Sequence, residues 1–285
     1  MAIAVPNSGT WRRPAFSRLR RCIGDPLALA LMLTFSLLSH LSATAGEAAS
    51  MRLVRAEGDI LVAVVHGDVS IGGAVDYHNR FAASAALSIQ GIAAAGLLRP
   101  GYFDAYGVRS PGSAFGRKDN YTREAVDMIA DAIIAMKARF GYKSVILVGH
   151  SGGAAISGAL MGLRPGVADT AILVSCPCDT PRWRRHVGAR SSSREPDFTN
   201  DWSRSLSAID HVAAIAPGAR IVAVTSGDDA LTPPALARDY VAAAKRAGVD
   251  ARFVQSSPAG HFLWNMEYAV INEVRIEVER LRRAN

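Results

Sequence analysis

The sequence predicts an open α/β fold, in which a mostly parallel sheet carries helices on both faces. Short apolar runs rich in β-branched residues alternate along the chain with segments of helical periodicity, and this alternation is typical of parallel strands joined by crossover helices. The runs are continuously apolar, as expected for strands that are buried on both faces. In such folds ligands bind beyond the carboxyl ends of the strands.

The predicted elements follow one another with short connections. The predicted strands are an edge strand at 51–55, then 60–65, 92–98, 145–148, 171–175, 220–225 and 252–255. The predicted helices are 77–88, 122–140, 154–163, 234–248 and 266–283. The helix at 122–140 is the clearest, because apolar residues recur at three- and four-residue steps between a capping Thr122 and a terminating Gly141.

The first 45 residues have the order of a secretory signal peptide. An arginine-rich segment (12–21) precedes an apolar stretch (27–38), and residues 43–45 supply an A-x-A cleavage site. The apolar stretch is shorter than the roughly 20 residues that span a bilayer, although an uncleaved membrane anchor is the alternative. We expect cleavage near Ala45 and an exported product, periplasmic or secreted, that contacts the membrane only through its leader.

Removing the leader changes the meaning of the formal net charge of +7. The leader holds five Arg and one Asp, which account for four of those charges and leave about +3 on the remaining 240 residues. A mature chain of this size is one ordinary domain (46–285). Its weak basic charge is poor grounds for nucleic-acid binding, so we expect no nucleic-acid partner.

An arginine-rich insertion at about 176–216 is predicted to form a short cap. We expect a solvated lid, because acidic residues partly neutralise it; the alternative is a cationic aromatic cap, including Arg184 and Arg185, that attracts anionic substrates or an anionic membrane. Cys176 and Cys178 begin the insertion. We expect two reduced thiols there, because a C-x-C disulfide demands a strained geometry.

The strand at 145–148 runs into Gly149-His150-Ser151-Gly152-Gly153, a G-x-S-x-G pattern followed at once by a helix. A strand that turns directly into a helix forces its central residue into a strained conformation, and the flanking glycines give the turn room. Ser151 is then lifted clear of the sheet. The N–H of Gly152, at the helix start, points to where an oxyanion would form.

Other candidate residues also follow predicted strands. Asp228 and Asp229 follow the strand at 220–225, and one of them could orient an imidazole while the other serves the turn. His261 lies in a Gly-His loop after the last strand, and its position gives the chain order Ser, Asp, His. His66 is expected to brace the loop after the strand at 60–65, and the backbone N–H of Asp68 is placed to complete an oxyanion hole.

These residues identify the resemblance: over essentially all of 55–285 the chain resembles the enzymes of the α/β-hydrolase fold. The matching residues are His66-Gly67, Gly149 to Gly153, the stretch from Gly227 to Pro233, and Gly260-His261. In that superfamily the acid commonly stands in a G-x-D-x-x-x-P stretch, which selects Asp229. The catalytic domains of prolyl-oligopeptidase-like and dienelactone-hydrolase-like proteins are similar. Two departures are that the nucleophile is Ser rather than the Cys of dienelactone hydrolases, and that these residues leave no room for the β-propeller of large prolyl oligopeptidases.

The resemblance implies an exported serine hydrolase that transfers the acyl group of a small-molecule ester to water. Ser151 is the expected nucleophile, His261 the general base and Asp229 its orienting acid, with the N–H groups of Gly152 and Asp68 as the oxyanion hole. No metal or organic cofactor is needed. The alternatives are a small peptidase or amidase with the same triad, a haloperoxidase-like activity, and a non-enzymatic binding protein on the same fold.

Overall fold

The computed structural model describes residues 48–69, 72–190 and 202–284. The predicted signal peptide at 1–45 and the acidic part of the insertion at 191–201 lie outside these residues. The strands are β1 Met51–Arg55, β2 Ile60–Val65, β3 Ile92–Leu97, β4 Ser144–His150, β5 Thr170–Val174, β6 Arg220–Ser226 and β7 Asp250–Ser256. The α-helices are α1 Tyr77–Ser88, α2 Arg123–Phe140, α3 Gly152–Leu163, α4 Thr180–Arg190, α5 Pro234–Arg246 and α6 Glu267–Ala284. Short 3-10 helices occupy Phe115–Arg117, Ala208–Ala214 and Leu263–Asn265.

The strands form one sheet in the order β1-β3-β2-β4-β5-β6-β7. Every neighbouring pair is parallel except β1, which runs antiparallel to β3 along one edge. The predicted edge strand and the mostly parallel sheet are both confirmed. The predicted boundaries differ from these elements by one or two residues at most ends.

The sheet separates two hydrophobic cores, because successive side chains of a strand point to opposite faces. Leu61 and Ala63 of β2 belong to the core shared with α2, α3 and α5. Ile60 and Val62 belong to the core shared with α1 and α6. All six residues of β2 are buried, which is why the strand reads as a continuous apolar run.

Helix α2 shows how local signals set the ends of an element. The Thr122 side chain accepts a hydrogen bond from the backbone N–H of Ala125 at 3.2 Å, which satisfies one of the first amides of the helix. At the other end Gly141 adopts the left-handed conformation, with φ of 72°, which glycine reaches without steric cost. Both predicted ends of this helix are confirmed.

The expectation of two free thiols in the insertion was wrong: Cys176 and Cys178 form a disulfide. The chain leaves β5 through Ser175, whose φ is 50°, and turns across Pro177. The two Cα atoms consequently lie 5.1 Å apart, within the range that a disulfide bridges. Both cysteines are buried against the first core.

The parallel strands bring their carboxyl ends to one edge of the sheet. The residues that follow β2, β4, β6 and β7 therefore meet there, and they include Asp68, Ser151, Asp229 and His261. Within the described ranges, no helix is both long and apolar enough to cross a membrane.

Candidate active site

Ser151 occupies the sharp turn between β4 and α3 with φ of 53° and ψ of −120°. A non-glycine residue in such a sparsely populated region costs on the order of 1–3 kcal/mol. The turn is held by the backbone N–H of Ser151, which donates to the carbonyl of Val174 at 2.9 Å. This is the strained strand-to-helix conformation that the sequence predicted.

Two glycines make this turn possible because the chain approaches itself closely there. A methyl group at Gly149 would lie 2.6 Å from the carbonyl oxygen of Gly153, and one at Gly153 would lie 2.4 Å from that of His66. Backbone atoms cannot move aside as the end of a side chain can. Larger residues at either position would therefore force the elbow away from the neighbouring strand.

Ser151, His261 and Asp229 lie together at this edge. His261 Nε2 is 3.0 Å from Ser151 Oγ, and His261 Nδ1 is 3.0 Å from Asp229 Oδ2. Because an ionised carboxylate only accepts hydrogen bonds, the Nδ1–H donates to Asp229 and leaves Nε2 to accept from the serine hydroxyl. This is the tautomer that a general base requires.

The Asp229 carboxylate is buried and densely hydrogen-bonded. The backbone N–H and the hydroxyl of Thr232 donate to it at 2.8 and 2.7 Å, and the N–H of Leu231 donates at 3.0 Å. Burial alone would raise the pKa of Asp229, but the hydrogen bonds and charge of His261, with those of Thr232, lower it to about 2. Asp229 thus both orients the imidazole and shapes its own loop.

Asp228 has the second role that the sequence left open between the two carboxylates, which is to hold the turn. Its Oδ1 accepts the backbone N–H groups of Ala259 and Gly260, each at 2.9 Å, and the hydroxyl of Ser226. The hydrogen bond from Ser226, followed by those from the two amides, lowers the pKa of Asp228 to about 2. Asp228 therefore connects the loop after β6 to the loop that carries His261.

Gly152 and Asp68, the two residues expected to bind an oxyanion, lie against each other. A methyl group at Gly152 would lie 2.6 Å from Asp68 Oδ1 and 2.7 Å from Oδ2. Neither backbone N–H has an acceptor within the described part of the chain, and the first amides of a helix have no partner inside the helix. Both donors are free to bind a ligand.

The side chain of Asp68 has partners that sequence reasoning missed. Arg99 Nη1 donates to Asp68 Oδ1 at 2.7 Å, and the hydroxyl of Tyr121 donates to Oδ2. The Arg99 side chain is 1% exposed, and its second terminal nitrogen donates to Asn120. An ion pair between the buried Arg99 and the partly buried Asp68 therefore fixes the oxyanion loop, which we define as residues 66–68.

His66 braces this loop as expected. Its Nε2 accepts the backbone N–H of Arg99 at 3.0 Å, so its Nδ1–H donates to the carbonyl of Gly67 at 2.7 Å. Burial holds the pKa of His66 well below its usual value. The ring is therefore neutral in this setting.

His150, the variable residue of the elbow pattern, has hydrogen-bond partners on both sides of its ring. Its Nδ1 lies 2.7 Å from the hydroxyl of Tyr77, and its Nε2 lies 3.0 Å from the backbone carbonyl of His261. Burial lowers the pKa of His150 to about 4. No motif indicated this role, because the middle residue between glycine and serine varies freely in the elbow pattern.

One face of the cap helix packs on the acid loop, whereas Arg182, Arg185 and Arg190 are exposed, as expected of a solvated lid. Trp183 Nε1 of α4 donates to the carbonyl of Leu231 at 3.1 Å, and His186 Nε2 donates to that of Ala230 at 2.8 Å. Arg184 is 5% exposed, and its guanidinium lies 4.1 Å from the centre of the Trp202 ring. The expectation that Arg184 belongs to a solvated or substrate-attracting surface was therefore wrong.

Comparisons with known proteins support the fold. No protein-family model matches the chain, and no curated protein matches it significantly. Among solved structures, Est1E from Butyrivibrio proteoclasticus superposes with a TM-score of 0.59 at 14% identity, over 82% of this chain and 94% of its own. The Pyrococcus furiosus esterase Pf2001 superposes with a TM-score of 0.60 at 11% identity, over 81% of this chain and 87% of its own. An acylaminoacyl peptidase from Pyrococcus horikoshii superposes with a TM-score of 0.58 at 12% identity, over 88% of this chain and 43% of its own. The chain therefore has the α/β-hydrolase fold, as the resemblance implied.

Proposed function

We propose that this chain is a serine hydrolase that cleaves a carboxylic ester of a small molecule through an acyl-enzyme. The approach of His261 Nε2 to Ser151 Oγ at 3.0 Å, with Asp229 on the far side of the ring, carries the proposal. Structural likeness to two esterases supports it at the level of the fold.

The reaction uses the triad in two half-steps. His261 removes the proton of Ser151 as Oγ attacks the ester carbonyl carbon, and the carbonyl electron pair moves onto its oxygen. The N–H groups of Gly152 and Asp68 donate hydrogen bonds to that oxyanion, and each lowers the activation barrier by on the order of 3 kcal/mol. His261 then protonates the departing alcohol; water, deprotonated by the same ring, releases the acid and restores the serine.

A fluorophosphonate probe and p-nitrophenyl acetate test the proposal on the purified protein. The wild type should be labelled and should hydrolyse the ester, and Ser151→Ala should do neither. Ser157→Ala is a matched control, because Ser157 is also buried but lies within α3, six residues beyond Ser151. Turnover that persists in Ser151→Ala would contradict the assignment of the nucleophile.

A peptidase or amidase with the same triad is the second candidate. The likeness to an acylaminoacyl peptidase favours it. A panel of aminoacyl amides beside simple esters separates the two functions, because a peptidase would cleave the amides measurably whereas an esterase would leave them intact.

We also propose that the protein is exported, periplasmic or secreted, after cleavage near Ala45, and that only its leader contacts the membrane. The arginine-rich, apolar and A-x-A segments of the first 45 residues support this. N-terminal sequencing of the protein from its native cell should begin near Gly46. A full-length product in the membrane fraction would contradict it.

A further inference from the structure

We propose that Tyr77 and His150 are positioning residues that join the oxyanion loop to the loop of the general base through one directed chain of hydrogen bonds. The inference rests on the proposed function, since it concerns how the same site is held. Neither residue would touch the reacting atoms. Tyr77 acts through the backbone N–H of Gly67, and His150 acts through the backbone carbonyl of His261.

The chain has three links. The backbone N–H of Gly67 lies 2.5 Å from the hydroxyl oxygen of Tyr77. That oxygen lies 2.7 Å from His150 Nδ1, and His150 Nε2 lies 3.0 Å from the carbonyl oxygen of His261. The path thus runs from Gly67 in the oxyanion loop, through Tyr77 and through His150 next to the nucleophile, to His261, the proposed general base.

Both ends of the chain fix its direction. A carbonyl oxygen only accepts, so His150 Nε2 carries the hydrogen and donates to His261. Gly67 N–H only donates, so the Tyr77 oxygen accepts there and sends its own hydrogen to His150 Nδ1. All donors and acceptors are then used once, in a single arrangement that requires the neutral Nε2–H tautomer of His150.

The ring of His150 is buried between the rings of its two neighbours in the hydrogen-bond chain. His150 is 4% exposed, and its ring lies 5.5 Å from that of Tyr77 and 5.2 Å from that of His261, centre to centre. Burial lowers the pKa of His150 to about 4, which keeps the ring neutral near pH 7. A buried donor or acceptor that loses its partner is costly, so removal of one link destabilises the arrangement at both ends.

This geometry couples the two halves of the candidate site. The donor at Asp68 directly follows Gly67, so the tyrosine hydroxyl restrains the peptide next to the oxyanion donor. The His261 carbonyl belongs to the same residue as the proton-accepting ring. Small displacements of either group relative to Ser151 would lower kcat, because misplacement of about 1 Å can cost on the order of a hundredfold.

A double-mutant cycle with p-nitrophenyl acetate tests the chain. Tyr77→Phe removes one oxygen and should lower kcat by about tenfold with KM within about twofold, as expected for the loss of roughly 1.4 kcal/mol of positioning. His150→Phe should cost at least as much. Since both interrupt one chain, the double variant should resemble His150→Phe alone, and His150→Gln, whose amide can still donate to His261, should recover part of the loss.

Tyr142→Phe is the matched control, because Tyr142 also donates one hydroxyl hydrogen bond to a backbone carbonyl, that of Ala56 at 3.1 Å, but lies outside the candidate site. Its kcat should equal that of the wild type. Independent losses that multiply to about a hundredfold in the double variant would overturn the chain. So would a Tyr77→Phe kcat that matches the control.

Nitrogen-15 NMR of the histidines in Ser151→Ala tests the hydrogen-bond chain independently of any enzymatic activity. His150 should show a protonated Nε2 and an unprotonated Nδ1, and Tyr77→Phe should shift the Nδ1 resonance. A protonated Nδ1 would refute the chain even if the protein is an active esterase. Absence of labelling and turnover in the wild type would instead refute the proposed function, and the NMR result would still stand.

Discussion

The two sides of the candidate site are held in different ways. On the acid side, the loops after β6 and β7 are held by ionised carboxylates that accept backbone N–H groups, as Asp228 does from Gly260 at 2.9 Å. On the oxyanion side, the loop after β2 is held by an ion pair between the buried Arg99 and the partly buried Asp68 and by a neutral His66. The acid side therefore depends on carboxylates whose charge persists to low pH, whereas on the oxyanion side burial keeps the His66 ring neutral.

The largest expected effect is on the acid side, in Asp229→Asn. Thr232 and Leu231 donate to Oδ1, so the new amide nitrogen would take the Oδ2 position and donate to His261 Nδ1. The ring would then carry its hydrogen on Nε2 and could not accept the serine proton, which should lower kcat by about 10⁴. Ester hydrolysis in the burst and steady-state phases measures this, with thermal unfolding as the control for folding. A loss below about tenfold would remove Asp229 from the triad.

On the oxyanion side, the largest effect should be on stability. Arg99→Met leaves the Asp68 carboxylate facing a buried site without its cation, and we expect a loss of about 3 kcal/mol in the free energy of unfolding by urea. Arg99→Met combined with Asp68→Asn should recover part of it. Arg123→Met breaks an exposed pair with Asp127 and should cost under about 1 kcal/mol. Equal losses in the two single variants would show that the buried pair has no special role.

Acidification should weaken the oxyanion side before the acid side. His78 of α1 lies beside the oxyanion loop, with its ring 5.1 Å from that of His66, centre to centre. Burial lowers the pKa of His78 and of His150 to about 4, below the value near 6.5 of an unfolded chain. Between these values the unfolded state binds the protons and the folded state does not, so stability should fall as pH drops from about 6.5 to 4. The pKa of Asp228 and of Asp229 is about 2, so their contribution is complete above about pH 4 and is lost only below it.

Urea unfolding at several pH values measures this order. His78→Phe should flatten the decline between pH 6.5 and 4 by up to about 1.4 kcal/mol per pH unit, the linkage of one proton. Within the described ranges neither ring nitrogen of His78 has a hydrogen-bond partner, so no bond is lost in the exchange. Asp228→Asn should change the curve only below about pH 4. A stability that stays level from pH 7 to 4 would contradict the neutral, buried state of these histidines.

These two sides also differ in how far the sequence reveals them. The elbow, the succession of strands and helices along the chain, and the order Ser, Asp, His follow from local patterns, and the structure brings those three residues together. Arg99 and Tyr121 reach Asp68 from 31 and 53 residues away. Their burial and partners depend on tertiary packing, which leaves no periodic or spaced signal in the chain. The disulfide was missed for a similar reason, because the turn at Ser175 that brings the cysteines together is not marked by a glycine.

The smallest expected effect separates the two neighbouring carboxylates on the acid side. In Asp228→Asn the amide oxygen can still accept from Ala259 and Gly260, so the loop should keep its course with weaker bonds, since charge-assisted hydrogen bonds are roughly twice as strong as neutral ones. We expect kcat to fall by about three- to tenfold with KM unchanged, against about 10⁴ for the same exchange at Asp229. Asp228→Ala, which removes the acceptor altogether, should cost more than Asp228→Asn, because the two amides lose their partner. If instead Asp228→Asn lowered kcat as far as Asp229→Asn does, both carboxylates would serve the imidazole, and the division between a structural and an orienting acid would be wrong.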